Sequence, residues 1–178
     1  MKKIFLLVLL LIISVNVYSR NTIKFLGIPV DGTKKEMQLK LKSKGFTNDE
    51  YSDLLYGEFN GENVVIDIQT VNNKVYRLIV IDAEGCNEST IKSRYNKLYQ
   101  QFMNNGKYGV MGNGTTISIS EDISYQMTFN EKEYEVAFHL LDESINGFVW
   151  YRIVRESDTY RIVMYYENLD NEAKGEDL

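Results

Sequence analysis

Apolar positions recur along the chain with two different periods, and their order predicts helix, strands, helix, strands. A helical period occurs early, where Met37 and Leu41 stand one turn apart. A period of two follows in ENVVIDIQT, where Val64, Ile66 and Ile68 alternate with more polar positions. The pattern therefore predicts two units, each made of a helix followed by an antiparallel meander.

The first predicted helix has sequence signals at both of its ends. Thr33 and Glu36 have the spacing of a capping box, which predicts that the helix begins at the next residue, Lys34. Gly45 stands where a helix often ends in a left-handed conformation, and we expect Phe46 to fold back onto the apolar stripe. The preceding residues 27–32 are interpreted as a rigid turn into the helix, which needs no ligand.

Three segments rich in β-branched and aromatic residues come next: LLYGEF, ENVVIDIQT and KVYRLIVIDA. They are separated by Asn60-Gly61 and by Asn72-Asn73. These pairs favour tight turns because their residues tolerate positive φ. The segments therefore predict a three-stranded antiparallel meander.

The second predicted helix has the best amphipathic pattern in the chain. Its apolar residues recur at helical spacing at Ile91, Tyr95, Leu98, Tyr99, Phe102 and Met103. Asn87 or Ser89 is the predicted N-cap, and Gly106 is the predicted stop.

Four strand-like segments complete the chain and predict a second meander: ISYQMTF, YEVAFHLL, GFVWYRIVRE and TYRIVMYYENL. Between the helix and these strands lies the glycine-rich stretch YGVMGNGTTISISE. We expect it to form a mobile loop or a short edge hairpin. It has no G-K-[ST] ending and follows a helix, so it does not match a phosphate loop.

The order of elements predicts an α+β fold with an antiparallel sheet. We divide the chain into a signal peptide at 1–19, a first unit at 20–85, a second unit at 86–168 and an acidic tail at 169–178. SKGF resembles NGKY, LYGEF resembles SYQMTF, and KVYRLIV resembles FVWYRIV. These likenesses suggest an internal duplication, although any two helix-plus-meander units share such loose features.

The N-terminus has the pattern of a secretory signal peptide. Lys2 and Lys3 precede an unbroken apolar run at 4–13, and Ser19 occupies the small-residue position before a cut. The run is shorter than the ~20 residues that span a bilayer. Because no cysteine follows the cut, a lipoprotein is not expected. The sequence predicts export to the periplasm or the exterior, without a membrane span.

The overall charge narrows the classes of partner. The 178-residue chain has a net charge of −5 and no basic stripe, which argues against nucleic acid and anionic lipid as partners. The single cysteine, Cys86, cannot form an internal disulfide. A hydrophobic core must therefore hold the fold together.

The chain resembles two groups of known proteins. The element order resembles the tandem helix-plus-meander topology of the β-lactamase-inhibitor-protein and BamE-like group, although that inhibitor's cysteine pairs are missing. FLGIPVDGTKKEMQLKLKSKGF resembles the first segment of a group of uncharacterised secreted proteins from gut Gram-negative anaerobes, through Gly27, Ile28, Pro29, Asp31, Gly32, Lys34, Lys44, Gly45 and Phe46. The first resemblance implies a non-catalytic module that binds another protein, and the second implies no activity.

Catalytic signals are sparse. Cys86, before the second helix, has a position that can favour the thiolate, and His139 is the only histidine with which it could pair. A free or intermolecularly paired thiol is the simpler interpretation. There is no G-x-S-x-G motif, no zinc spacing and no EF-hand loop, so no cofactor or metal is predicted.

Paired carboxylates leave an enzyme alternative open. A secreted hydrolase could cleave glycans with two of the acids on or beside the strands, which are Asp67, Asp82, Glu121 and Asp122. The sequence does not indicate which two would converge. The acids of the tail are interpreted as solvated.

The last two predicted strands carry large apolar or aromatic side chains at both parities. Either helices cover part of each face, or an aromatic patch is exposed. The candidate binding surface consists of Trp150, Tyr151, Arg152, Tyr160, Arg161 and Tyr165. We expect it to bind a protein, with stacking of sugar rings as a second use and an envelope scaffold as a third role.

Overall fold

A computed structural model of the chain describes residues 21–48 and 51–172. These residues form three helices: α1 (Lys34–Lys42), α2 (Glu88–Met103) and α3 (Ile123–Phe129). They also form ten strands: β1 (Lys24–Phe25), β2 (Ile28–Pro29), β3 (Thr47–Asn48), β4 (Leu55–Phe59), β5 (Glu62–Val71), β6 (Lys74–Asp82), β7 (Tyr108–Met111), β8 (Glu135–Leu140), β9 (Gly147–Glu156) and β10 (Thr159–Asn168). The predicted signal peptide and the end of the predicted acidic tail lie outside the described residues.

Eight of the strands form one antiparallel sheet in the order β3-β4-β5-β6-β10-β9-β8-β7. The third strand of each meander, β6 and β10, pair with each other at the centre of the sheet. β1 and β2 form a separate two-stranded hairpin. The predicted α+β class is confirmed. No helix in the described ranges is long and apolar enough to cross a membrane.

Helix α1 begins and ends at the predicted residues. The Thr33 hydroxyl accepts from the Glu36 amide at 3.3 Å, and the Glu36 carboxylate accepts from the Thr33 amide at 2.9 Å. Both interactions of the predicted capping box are therefore present. At the other end of the helix, Gly45 has a φ of 99°, and the Phe46 side chain is buried, as predicted.

The predicted turns of the first meander are also confirmed. Asn60 and Gly61 have φ values of 57° and 81°, and Asn72 and Asn73 have values of 49° and 61°. These left-handed conformations connect β4 to β5 and β5 to β6. Helix α2 takes Asn87 as its N-cap, because the Asn87 side chain accepts from the Thr90 amide at 2.9 Å.

One predicted strand is wrong, because ISYQMTF forms the helix α3. The Asp122 side chain accepts from the Tyr125 amide at 2.8 Å, which caps the helix. Ile123 is fully buried, and Met127, one turn later, packs against the core. The second meander therefore has three strands, β8 to β10. The glycine-rich stretch supplies a single edge strand, β7, which pairs with β8.

An internal duplication is not shown. LYGEF lies in strand β4, but its counterpart SYQMTF lies in helix α3. KVYRLIV belongs to β6, the third strand of its meander, whereas FVWYRIV belongs to β9, the second strand of the other. Two of the three sequence likenesses therefore do not match equivalent elements.

The main sheet has two unlike faces. On one face, which we call the covered face, Ile66, Leu78 and Tyr151 are fully buried. Helices α1 and α2 pack against the sheet there. On the other face, which we call the open face, most side chains of the central strands are half-buried: Ile79, Ile81, Phe148, Trp150, Arg152 and Tyr165.

Candidate functional site

The open face is centred on two stacked aromatic rings. Trp150 of β9 and Tyr165 of β10 are direct partners in the strand register. Their rings are nearly parallel, with an interplanar angle of 6° and centroids 3.9 Å apart. Side chains that lie directly opposite each other on one face of a sheet come within contact distance, so the register itself builds this stack.

A guanidinium group lies near each ring of the stack. Arg77 of β6 lies over the Tyr165 ring at 5.8 Å and over the Tyr76 ring at 5.2 Å. Arg152 lies over the Trp150 ring at 5.9 Å. We call these five residues the aromatic ladder. Each cation–π contact at a partly exposed site contributes about 0.5–1 kcal/mol.

Glu167 holds two members of the aromatic ladder in position through hydrogen bonds. Both of its carboxylate oxygens accept from Arg77 Nε at 2.8 Å, and Oε1 accepts from Trp150 Nε1 at 3.0 Å. The Glu167 residue is only 2% exposed. Burial lowers the pKa of Arg77, but the hydrogen bond to Glu167 and its negative charge outweigh burial and raise that pKa. Arg77 therefore stays charged, and one carboxylate joins two members of the ladder.

A groove of about 520 Å³ adjoins the ladder on the open face. Ala137, Phe148 and Trp150 contribute apolar surface, and Met111 lines the groove near the edge strand β7. Glu135 and Arg77 contribute charges. The groove therefore combines an apolar lining with polar groups of both signs, which suits a side chain of a macromolecular partner.

Four of the six predicted surface residues lie on the open face, namely Trp150, Arg152, Arg161 and Tyr165. The other two require a correction. Tyr151 is fully buried, and its hydroxyl donates to the Tyr95 carbonyl oxygen at 3.0 Å. Tyr160 is 4% exposed. Successive residues of a strand point to opposite faces, so these two tyrosines lie on the covered face.

Three members of the site were missed by the sequence reasoning: Tyr76, Arg77 and Glu167. The sequence contained a partial signal for Glu167, because residues two positions apart in a strand point to the same face, and Glu167 follows Tyr165 by two positions in β10. No such local signal connects Arg77 to β10, since the pairing of β6 with β10 joins residues far apart in the sequence.

Cys86 and His139 are not brought together. Cys86 pairs with Tyr160, at the start of β10. His139 of β8 is opposite Phe148 of β9, and Phe148 is in turn opposite Glu167, near the end of β10. At about 3.4 Å per residue, these positions are roughly 24 Å apart along the strand. Burial raises the pKa of the Cys86 thiol, and the charges of Asp82 and Glu62 add to the effect. The expected thiolate is therefore not favoured.

Each of the four candidate catalytic carboxylates has a structural partner, and Asp67, which accepts from the Gln69 amide nitrogen at 3.4 Å, lies away from the other three. Asp82 accepts from Arg94 at 2.7 and 3.0 Å on the covered face. Glu121 binds Lys132 and accepts from the Tyr134 hydroxyl at 2.6 Å, contacts that lower its pKa. Asp122 caps α3, and Asp67 lies on the open face of β5. Within 21–48 and 51–172, no three His, Cys, Asp or Glu side chains form a group that could hold a metal ion.

No protein-family model, curated protein or solved structure matches this chain. The resemblance in topology to the β-lactamase-inhibitor-protein and BamE-like group therefore stays a prediction. A shared topology would not in any case assign a function, because unrelated functions use the same fold.

Proposed function

We propose that this chain is a non-catalytic module that binds another protein through the open face of its sheet. The observation that carries the proposal is the Trp150–Tyr165 stack, held on the open face by Glu167 and flanked by Arg77 and Arg152. The signal-peptide pattern of residues 1–19 supports export. The partner is therefore expected outside the cytoplasm.

The chemistry of the ladder supports protein binding. Tyr, Trp and Arg are enriched at the centres of protein–protein interfaces, where a few such residues carry most of the binding energy. Side chains that are already fixed in the free protein lose little conformational entropy when a partner binds. Glu167 supplies this fixation, since its carboxylate bonds both Trp150 and Arg77.

The same geometry favours a protein over a glycan. A sugar that stacks on an aromatic residue needs a free ring face. Here one face of Trp150 is against Tyr165, and Arg152 lies over the ring of Trp150. One face of Tyr165 is likewise against Trp150, and Arg77 lies over the Tyr165 ring at 5.8 Å from its centroid. The stack therefore leaves each ring at most one free face, beside guanidinium groups, which suits the mixed surface of a folded protein.

The test compares alanine substitutions on the two sides of the molecule. The partner is first isolated by affinity capture, and its binding to purified variants is then measured by titration calorimetry. We expect Trp150→Ala and Tyr165→Ala each to cost about 2 kcal/mol of binding free energy, which is roughly a 30-fold loss of affinity.

The matched control is Leu39→Ala with Tyr125→Ala, which removes two exposed apolar side chains from helices α1 and α3. We expect no change in affinity for this control. Unchanged binding by folded Trp150→Ala and Tyr165→Ala variants, with circular dichroism spectra like the parent protein, would refute the proposal.

A further inference from the structure

The two edges of the main sheet differ in how much unpaired backbone they present. At one edge, the described part of the chain gives β3 two residues, Thr47 and Asn48. At the other, β7 has four, Tyr108–Met111, in unbroken register with residues 140–137 of β8. An edge strand presents backbone N–H and C=O groups on its outer side, where another strand can pair with them.

The hydrogen-bond phase of β7 shows which groups point outward. The Leu141 amide donates to the Lys107 carbonyl oxygen at 2.9 Å, so residue 107 belongs to a hydrogen-bonded pair. In an antiparallel ladder such pairs alternate, which directs Gly109 and Met111 toward β8 and Tyr108 and Val110 away from it.

Three outward groups of β7 lack a partner. The Tyr108 amide donates to the Asn105 carbonyl oxygen at 3.0 Å. This leaves the Tyr108 carbonyl and both backbone groups of Val110, and no group in the described part of the chain pairs with them. One donor and two acceptors in this alternating arrangement fit an extended backbone.

The sequence and register of β7 also lack the usual protection against pairing. Exposed edge strands commonly carry charged side chains, proline or a bulge, which keep other strands away. Residues 108–111 read YGVM and contain no charge and no proline. Their pairing with β8 contains no register shift. The sequence therefore leaves this edge open to a further strand.

We propose that β7 binds an extended segment of a partner protein, which adds to the main sheet beyond its present eight strands. This surface is distinct from the aromatic ladder. The mode of binding is β-augmentation, in which main-chain hydrogen bonds provide affinity and alternate side chains provide specificity. The backbone groups of Val110 form the centre of the site.

The neighbouring side chains define the chemistry of the added segment. A residue opposite Val110 lies on the covered-face side, next to the half-buried Val110 and Tyr108 side chains. Residues opposite Gly109 and Met111 lie on the open-face side. Gly109 has no side chain of its own, and the exposed His139 and Leu141 side chains lie beside it, while Met111, which is 43% exposed, lines the groove of about 520 Å³. The segment should therefore be uncharged and mainly apolar.

The decisive variant is Val110→Pro, which removes the outward amide hydrogen and leaves the hydrogen bonds of Gly109 and Met111 to β8. Proline is tolerated on edge strands at positions whose amide faces solvent. Val110→Ala is the matched control, since it shortens the same side chain and keeps the amide. The probe is a phage-displayed library of random peptides, selected on the full-length protein and followed by synthesis of the enriched peptides.

We expect enriched peptides to be apolar and uncharged, and to bind the parent protein and Val110→Ala with similar affinity. Val110→Pro should weaken binding by about tenfold or more, because it leaves a carbonyl of the added segment unpaired. In the parent protein, the Val110 amide should exchange with solvent quickly when free and slowly in the complex, as measured by NMR. This second measurement needs no variant to fold.

Several results would overturn the proposal: no enriched peptide, equal binding to Val110→Pro, or fast exchange of the Val110 amide in the complex. Slow exchange that grows with protein concentration in the absence of peptide would also overturn it, in favour of pairing between two copies of the chain.

Discussion

Glu167→Gln tests whether the ladder is held in place by one buried carboxylate. The substitution keeps the shape of the side chain and an oxygen that can accept from Trp150, but it removes the negative charge beside Arg77. In the parent protein, Arg77 Nε lies 2.8 Å from Glu167 Oε1, and the Arg77 and Glu167 side chains are 28% and 3% exposed, respectively. We expect a clear loss of stability, because one end of the pair is buried.

The size of this loss follows from the burial of the pair. A hydrogen bond to a charged group contributes about 1.5–3 kcal/mol, whereas an exposed ion pair contributes about 0–1 kcal/mol. Since Glu167 is buried and Arg77 retains some solvent contact, we expect Glu167→Gln to lower the free energy of unfolding by about 2 kcal/mol. With a urea m-value of about 2 kcal/mol per M, the unfolding midpoint should fall by about 1 M.

The matched control is Glu156→Gln. Glu156 also pairs with an arginine, Arg161 at 3.1 Å, but the Glu156 side chain is 60% exposed. We expect this control to change the unfolding free energy by less than about 0.5 kcal/mol. Trp150, the chain's single tryptophan, reports unfolding by fluorescence, and circular dichroism provides a second probe. Equal effects of the two substitutions would refute the idea that Glu167 fixes the ladder.

Three further predictions concern the scaffold. Asp82→Asn should lower the unfolding free energy by about 3 kcal/mol, because the 7%-exposed Arg94 side chain keeps only the half-exposed Glu62 carboxylate, at 3.8 Å, as an anionic partner. Asp53→Asn, which disrupts the exposed Lys34 pair, should lower it by less than about 1 kcal/mol, and thermal denaturation measures both changes. Thr33→Ala should lower the unfolding free energy by about 1 kcal/mol, because it removes the α1 cap, whereas Thr33→Ser should retain most of that stability. Equal stability of the parent and both variants would contradict a stabilising role of the cap. Burial raises the pKa of Tyr95 to about 12, so the stability it contributes is complete below the ordinary tyrosine pKa of about 10 and is lost as the pH rises through the higher value. Phenolate absorbance should show a late-titrating group of buried tyrosines that loses amplitude in Tyr95→Phe; a single transition at about pH 10 would be the contrary result.

The sequence predicted those parts of the fold whose causes are local. The ends of α1 follow from Thr33, Glu36 and Gly45, because caps and left-handed residues act within one turn. The hairpin at Asn60-Gly61 follows from residues that tolerate positive φ. Each of these features is decided by neighbours in the chain.

Helix α3 shows where local patterns conflict. ISYQMTF is rich in β-branched and aromatic residues, which favours a strand. The Asp122 cap and the spacing of Ile123 and Met127 favour a helix, and burial of Ile123 decides the outcome. The Ile123 amide donates to the Glu88 carboxylate at 3.1 Å, a contact with α2 that no local window contains.

The candidate site depended on long-range pairing. The sequence showed large side chains at both parities of β9 and β10, but it did not show which parity the helices cover. Packing of α2 against β10 decides this, and it buries Tyr160 while leaving Tyr165 half-buried. The contact between Arg77 and Glu167 joins residues 90 positions apart. Local periodicity contains no information about such a pair.

The central claim is that a protein partner binds the open face, and site-specific photocrosslinking tests it most directly. A photoreactive amino acid replaces Ile79, a half-buried open-face residue opposite Tyr165, or Leu39, an exposed residue of α1, in cells that produce the protein. We predict a discrete adduct with another protein from position 79, its loss on Trp150→Ala, and none from position 39. Equal labelling from both positions, or no adduct from position 79, would contradict the claim.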